Sequence, residues 1–174
     1  MSTLTKQKAD LDYRQHTISL YVANKPGVLI RTALVFARRG YNIDSLVVSG
    51  AHDPQFSQMN IVASGDSQTL DQILKQLNKL VDVVHATDNT AQDVIQKELL
   101  LIKLACPPEQ RTEILQVAAA FDGDIVDLSE TTITFEVSGD SDKLDTVHNI
   151  CSHYGVIEMV RSGKILMAKG ERIT

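Results

Sequence analysis

The chain has 174 residues, of which 43% are hydrophobic, 5% aromatic and 22% charged, enough apolar material for one ordinary core or two small ones and too much for wholesale disorder. Acidic residues outnumber basic ones, 22 to 17, for a net charge of −5, so a global basic footprint for nucleic acid is absent. Cys106 and Cys151 make neither a dense disulfide scaffold nor a clustered zinc site, and no apolar run approaches the roughly 18 residues of a membrane span.

Residues 1–15 are polar and mixed in charge, without the apolar centre of a signal peptide. They read as a flexible leader to a cytoplasmic protein. From His16 a pattern sets in. His16, Ile18, Leu20 and Val22 alternate with Thr17, Ser19 and Tyr21, the period of a half-buried strand. Asn24-Lys25-Pro26-Gly27 breaks it. Ile30, Ala33, Leu34 and Ala37 then fall at helical spacing and are expected to face the core, with Arg31 and Arg38 on the other side and Gly40 as the stop. Residues 41–50 read as a strand, and His52-Asp53-Pro54 as a turn. Met59, Ile61 and Ala63 alternate again. Gly65-Asp66-Ser67 supplies a turn and a helix cap, and Leu70, Ile73, Leu74 and Leu77 form a second helical stripe. Residues 81–86 close a β-α-β-β-α-β unit.

The order then recurs. Leu100, Ile102 and Leu104 mark a strand that Pro107-Pro108 ends. Ile114, Val117, Ala118 and Phe121 mark a helix, 125–128 a strand, and Ile133, Phe135 and Val137 another. Leu144, Val147, His148 and Cys151 make the last helical stripe, 156–160 the closing strand, and 164–168 a short further one. A shift of 82 residues superimposes Ile18, Leu20, Val22, Pro26 and Ile43 on Leu100, Ile102, Leu104, Pro108 and Ile125. After the middle turn the shift is 74, which sets Ser64-Gly65-Asp66-Ser67 on Ser138-Gly139-Asp140-Ser141. The fold class expected is α+β: two ferredoxin-like βαββαβ units, each a four-stranded antiparallel sheet with two helices on one face. The division expected is 1–15 leader, 16–93 first unit, 94–174 second unit.

The copies differ at one corner. Asn24, Gly27 and Asn42 correspond to Cys106, Glu109 and Asp124. In the first copy the corner joins strand one to the start of helix one. Unpaired N–H groups there favour a carboxylate, Gly27 lets a ligand approach the backbone, and an asparagine can serve an ammonium or a carboxylate. Val28, Leu29 and Ile43 are placed to wall a small apolar pocket. The combination suits a free amino acid with a small aliphatic side chain. The competing reading is a Pro-Gly turn used for geometry alone.

Other chemistry finds less support. His16, His52, His85, His148 and His153 lack metal-ligand spacing, and no Walker loop, Gly-x-Ser-x-Gly or Cys-x-x-Cys is present. Asp44 and Asp82 read as edge or surface carboxylates. Arg31, Arg38 and Arg39 form a local basic patch that reads as a solvated helix face, with a docking surface as the alternative. RNA-recognition domains share the strand and helix order, but they stack bases on aromatics of the central strands, where this chain carries Ile18, Leu20, Met59 and Ile61. An acylphosphatase-like hydrolase would need an arginine-bearing phosphate cradle where Asn24-Lys25-Pro26-Gly27 stands.

The segment His16-Thr-Ile-Ser-Leu-Tyr-Val-Ala-Asn-Lys-Pro-Gly-Val-Leu resembles the opening of an ACT domain. Phe36-Ala-Arg-Arg-Gly-Tyr-Asn-Ile-Asp-Ser-Leu-Val-Val, Gln76-Leu-Asn-Lys-Leu-Val-Asp-Val and Arg161-Ser-Gly-Lys resemble the regulatory small subunits of acetolactate synthase. The likeness covers about residues 16–174. It implies an N-terminal ACT domain followed by a domain of similar topology, and a homodimer with ACT domains side by side. It implies that a branched-chain amino acid, usually valine, binds between them, touching Asn24, Gly27, Val28 and Leu29 of one subunit and Asn42 and Ile43 of the other. It implies no catalytic site in this chain, no cofactor, no metal, and no nucleic-acid or membrane partner. Thiamine diphosphate, Mg²⁺ and FAD would reside in the catalytic subunit, which the small subunit activates and subjects to valine feedback. A stand-alone ACT-type amino-acid sensor is the alternative.

Overall fold

The computed structural model describes residues 13–174, the side chain of Tyr13 excepted, so residues 1–12 of the expected leader lie outside the described residues. The described chain divides into two compact units. The first runs to Ile95 and takes in Lys164–Thr174; the second is Gln96–Gly163. The grouping of Lys164–Thr174 with the first unit differs from a division at residue 94.

The first unit contains β1 (Tyr13–Ala23), α1 (Val28–Ala37), β2 (Asn42–Gly50), β3 (Phe56–Asp66), α2 (Ser67–Leu77) and β4 (Val83–Asp88), in sheet order β2-β3-β1-β4. All three pairings are antiparallel. β1 begins at Tyr13, which pairs opposite Asp66, so three residues assigned to the leader belong to the sheet. Ile18, Leu20, Met59, Ile61 and Ala63 pack against Phe36 of α1 and Leu70, Ile73 and Leu77 of α2 in one core. Burial of a side chain of this size contributes about 1.5–3 kcal/mol.

The helices follow from local chemistry. Asp66 caps α2, its Oδ1 accepting from the Thr69 N–H at 2.8 Å. Gly27 opens α1 at φ +84°, a left-handed conformation that glycine adopts without Cβ strain. This corner sets the phase of α1, and the phase corrects the expected stripe. Val28, Thr32, Val35 and Phe36 face the core, whereas Ile30 is 66% and Leu34 44% exposed. The helix is apolar on both faces, so periodicity alone favoured the wrong one. At β4 the correction is an end point: Val81 is 96% exposed and the strand starts at Val83. The Asn78 side chain, bonded to both the N–H and the carbonyl of Ala86, braces the turn that precedes it.

The second unit is built on β5 (Val94–Ala105), whose first two residues group with the first unit, and on α3 (Arg111–Ala120), β6 (Asp124–Leu128), β7 (Thr132–Gly139), α4 (Ser141–Cys151) and β8 (Val156–Arg161). Its sheet path is β6-β7-β5-β8, again antiparallel. A last short strand, β9 (Ile165–Ala168), follows in the segment that groups with the first unit. Leu100, Ile102, Leu104, Phe135, Leu144 and Val147 lead its core. Both units therefore have the expected βαββαβ, ferredoxin-like architecture.

The repeat extends to irregularities. β4 bulges at Val84, opposite Tyr21 and Val22, and β8 bulges at Ile157, opposite Lys103 and Leu104. Asp44 is the extra residue of β2 and Val126 that of β6. Asp44 and Val126, and the facing positions in β1 and β5, are separated by the shift of 82 expected from the sequence. Asp140 caps α4 by accepting from Lys143 N at 2.9 Å, as Asp66 caps α2, at the shift of 74.

Candidate effector-binding corner

The corner between β1 and α1 is held open from below. Asn24 N donates to Gln55 O at 2.8 Å, and its side-chain Nδ2 donates to Pro54 O at 3.1 Å. The Asn24 Oδ1 remains an acceptor. A concavity of about 330 Å³ lies beside it, lined by Ala23, Asn24, Lys25, Gln55 and Phe56. Val28 N reaches Lys25 O at 3.4 Å and Arg31 N reaches Gly27 O at 3.1 Å. Among the described residues, the N–H groups of Leu29 and Ile30 between them have no acceptor. Nor does α1 carry a side-chain cap or an acidic residue in its first turn, whereas α2 and α4 have aspartate caps and α3 has Glu113. The first turn of α1 therefore presents uncompensated positive dipole.

The side chains behave differently from one another. Val28 is only 3% exposed and belongs to the core, so it offers its backbone rather than an apolar wall. Leu29 is exposed at 42%. Ile43 is half-buried against the core, and Asn42 is exposed at the start of β2, where its Nδ2 donates to Asp44 Oδ1 at 2.7 Å. Both asparagines thus spend an amide N–H within the chain and keep their carbonyl oxygens, which suit an ammonium group.

The fold separates these residues into two sets. Asn24 follows Ala23, which pairs with Phe56 at one end of β3; Asn42 pairs with Ser64 near the other. Eight residues of strand, about 26 Å, lie between those levels. Asn24, Gly27, Val28 and Leu29 gather at one end of the sheet, and Asn42 and Ile43 stand at the opposite end.

Arg31 is solvated, its side chain 46% exposed, and it also has a partner that its sequence position does not reveal: its Nη2 lies 2.6 Å from Asp82 Oδ2, and a Cβ built on Gly27 would meet its Nη1 at 3.0 Å. Its spacing of four from Gly27 is the available signal, since residues four apart share a helix face.

In the second unit the same corner is closed. Cys106 N donates to Thr131 O at 2.7 Å, the counterpart of the Asn24 bond, but the Cys106 side chain is fully buried in the core. The backbone is retained while the exposed amide is lost.

The helix-free face of the first sheet corrects the argument made from Ile18, Leu20, Met59 and Ile61. Those residues face the helices. The opposite face carries a row of rings, with Tyr21 stacked on Phe56 at 4.9 Å and on His85 at 5.7 Å between centroids. A cavity of about 530 Å³ adjoins Tyr21, Gln58 and His85, walled by Leu166, Met167 and Arg172. His85 Nε2 is occupied by Thr174 O at 3.1 Å. Among the described residues no group of three His, Cys, Asp or Glu side chains could hold a metal ion, and no helix is long and apolar enough to cross a membrane.

Comparison with known proteins places this geometry. Residues 18–85 match the family model of the AHAS small subunit-like ACT domain, and residues 97–170 that of the small subunit of acetolactate synthase. A probable acetolactate synthase small subunit of Archaeoglobus fulgidus is 41% identical over 158 residues, 91% of this chain and 99% of that one. One from Methanothermobacter thermautotrophicus is 42% identical over 158 residues, covering 90% and 94%. The crystal structure of the acetolactate synthase small subunit from Thermotoga maritima superimposes with a TM-score of 0.81 at 35% identity, over 91% of this chain and 99% of that one.

Proposed function

The chain belongs to the family of acetolactate synthase small, regulatory subunits, and from that premise we propose that it is the feedback sensor of its enzyme, binding valine or another branched-chain amino acid at the β1–α1 corner. Its partner is the catalytic subunit, which in this reading carries thiamine diphosphate, Mg²⁺ and FAD, makes 2-acetolactate or 2-aceto-2-hydroxybutyrate for branched-chain amino acid synthesis, and is activated by this chain. This chain contributes no catalytic group.

One observation carries the reading: the ligand-suited residues lie at opposite ends of one sheet. β2 is an edge strand. If two copies join antiparallel along β2, Asn42 of the partner subunit comes level with Gly50, which lies at the Asn24 end. Each dimer then completes two sites. The ammonium of the effector meets the asparagine oxygens, the carboxylate meets the first turn of α1, and Leu29 with Ile43 of the partner subunit flanks the side chain. A ligand held between subunits biases their arrangement, and it inhibits if it binds the less active arrangement more tightly. The exposed Ile30 and Leu34 of α1 gain cover in such a dimer.

The test is reconstitution. Adding this chain to the cofactor-loaded catalytic subunit should raise activity, and valine, leucine or isoleucine should then lower it. Unchanged activity on both additions would sink the proposal.

A further inference from the structure

The proposed corner, where Lys25 lines the concavity on the β1 side, offers asparagine oxygens, backbone N–H groups and Gly27. Beside it stands one guanidinium. Arg31 is the fifth residue from Gly27 counting inclusively, one helical turn on, so its side chain rises over the glycine. Nη2 is held by Asp82 Oδ2 at 2.6 Å, while Nη1 lies 3.0 Å from where a Gly27 Cβ would stand. The Arg31 side chain is 46% exposed and that of Asp82 15%, so the carboxylate is the fixed member and the arginine the reaching one. Asp82 is itself anchored, because its carbonyl accepts from Ala23 N at 2.8 Å at the end of β1.

We infer that Arg31 is the cation that pairs with the carboxylate of the amino-acid effector, with Asp82 as the positioning residue that aims it. This rests on the proposed effector site at the same corner. A guanidinium carries five donors in a planar fork, so one edge can remain on Asp82 while Nη1 takes a ligand oxygen. A purely structural pair at this exposure would contribute little to stability and would be indifferent to the ligand. The arrangement gives Gly27 a second function: the absent side chain leaves the space between Nη1 and the backbone through which a carboxylate reaches both. It also links the site to the residue before β4, since the ligand and Asp82 share one fork.

The experiment is calorimetric titration of the full chain with L-valine and with L-valinamide, which keeps the ammonium and side chain but lacks the negative carboxylate. Wild type should prefer valine. Arg31→Gln should weaken valine about tenfold or more and leave valinamide within about twofold, so the preference collapses. Arg31→Lys, which keeps the charge but loses the fork, should fall between, and melting curves of both variants should overlay the wild type closely. Equal losses for the two ligands, or no loss for either, would overturn the role of Arg31. Absence of valine heat from the wild type would overturn the effector site itself and this role with it.

Discussion

Arg161 closes on Glu98 with two nitrogens, Nε at 3.1 Å and Nη2 at 2.7 Å from the same Oε2. Glu98 is 6% exposed, and Ser141 donates to its other oxygen, so the carboxylate ties β5 and β8 to the first turn of α4. Removing the arginine strands a buried charge. Arg161→Met should cost about 2–3 kcal/mol in urea unfolding, and adding Glu98→Gln should restore part of that loss. A double variant no more stable than the single would show that the pair is not coupled.

Asp66 and Asp140 are interchangeable in role. Alanine at either should cost about 1 kcal/mol. The Asp66 carboxyl is held below its usual 3.8, chiefly by the backbone N–H of Thr69. A depressed folded-state value means the contribution is complete above pH 3.8 and is lost as the pH falls below it. The stability difference between wild type and Asp66→Ala should therefore shrink in acid, measured by denaturant titration at pH 6 and at pH 3.

Cys151 is fully buried in the second core, and burial pushes its thiol up to about 11. Folded protein at pH 8 should react with a thiol reagent only on the timescale of opening, while denatured protein reacts at once. The raised value also sets an alkaline limit: the contribution is complete below pH 9.0 and declines as the pH climbs towards 11. Rapid stoichiometric labelling of folded chain at Cys151 would contradict the burial.

Gly27→Asp puts a negative charge where the effector carboxylate is proposed to sit, on a residue at φ +84° that disfavours any side chain. In the reconstituted enzyme it should abolish valine inhibition and leave activation of the catalytic subunit largely intact. Retained valine sensitivity would remove Gly27 from the site.

A site shared between subunits makes a quantitative demand. Asn24→Ala and Asn42→Ala homodimers should each lack valine binding. A heterodimer of the two carries both changes in one site and none in the other, so co-refolded mixtures should regain about half a wild-type site per chain at most. No recovery in a verified heterodimer would place both asparagines in one chain's site.

How much of this was legible in the residues varies by feature. The aspartate caps were readable because Gly-Asp-Ser recurs with the shift of 74, and capping is local chemistry. The shared bulges were not, although Asp44 and Val126 obey the same shift of 82, because a bulge depends on the partner strand. Helix α1 defeated periodicity because Val28, Val35 and Phe36 and the opposite Ile30 and Leu34 are equally apolar; the phase was decided by the left-handed turn at Gly27. The corner residues were visible as a difference between copies. Arg31 was not, since its position depends on Asp82, fifty-one residues further along the chain.

The bulge in β2 has a consequence for association. Its extra residue is Asp44, a carboxylate on an edge strand, accepting from Asn42 and Ser64. At the same place in β6 stands Val126, 52% exposed, in a strand whose every residue is exposed. Charge on an edge resists open-ended growth into fibrils; β6 carries Asp124 and Asp127, but at its bulge the exposed residue is an apolar valine. If this protein aggregates on long storage, sheet addition should begin at β6, and Val126→Lys should slow it without touching the effector corner.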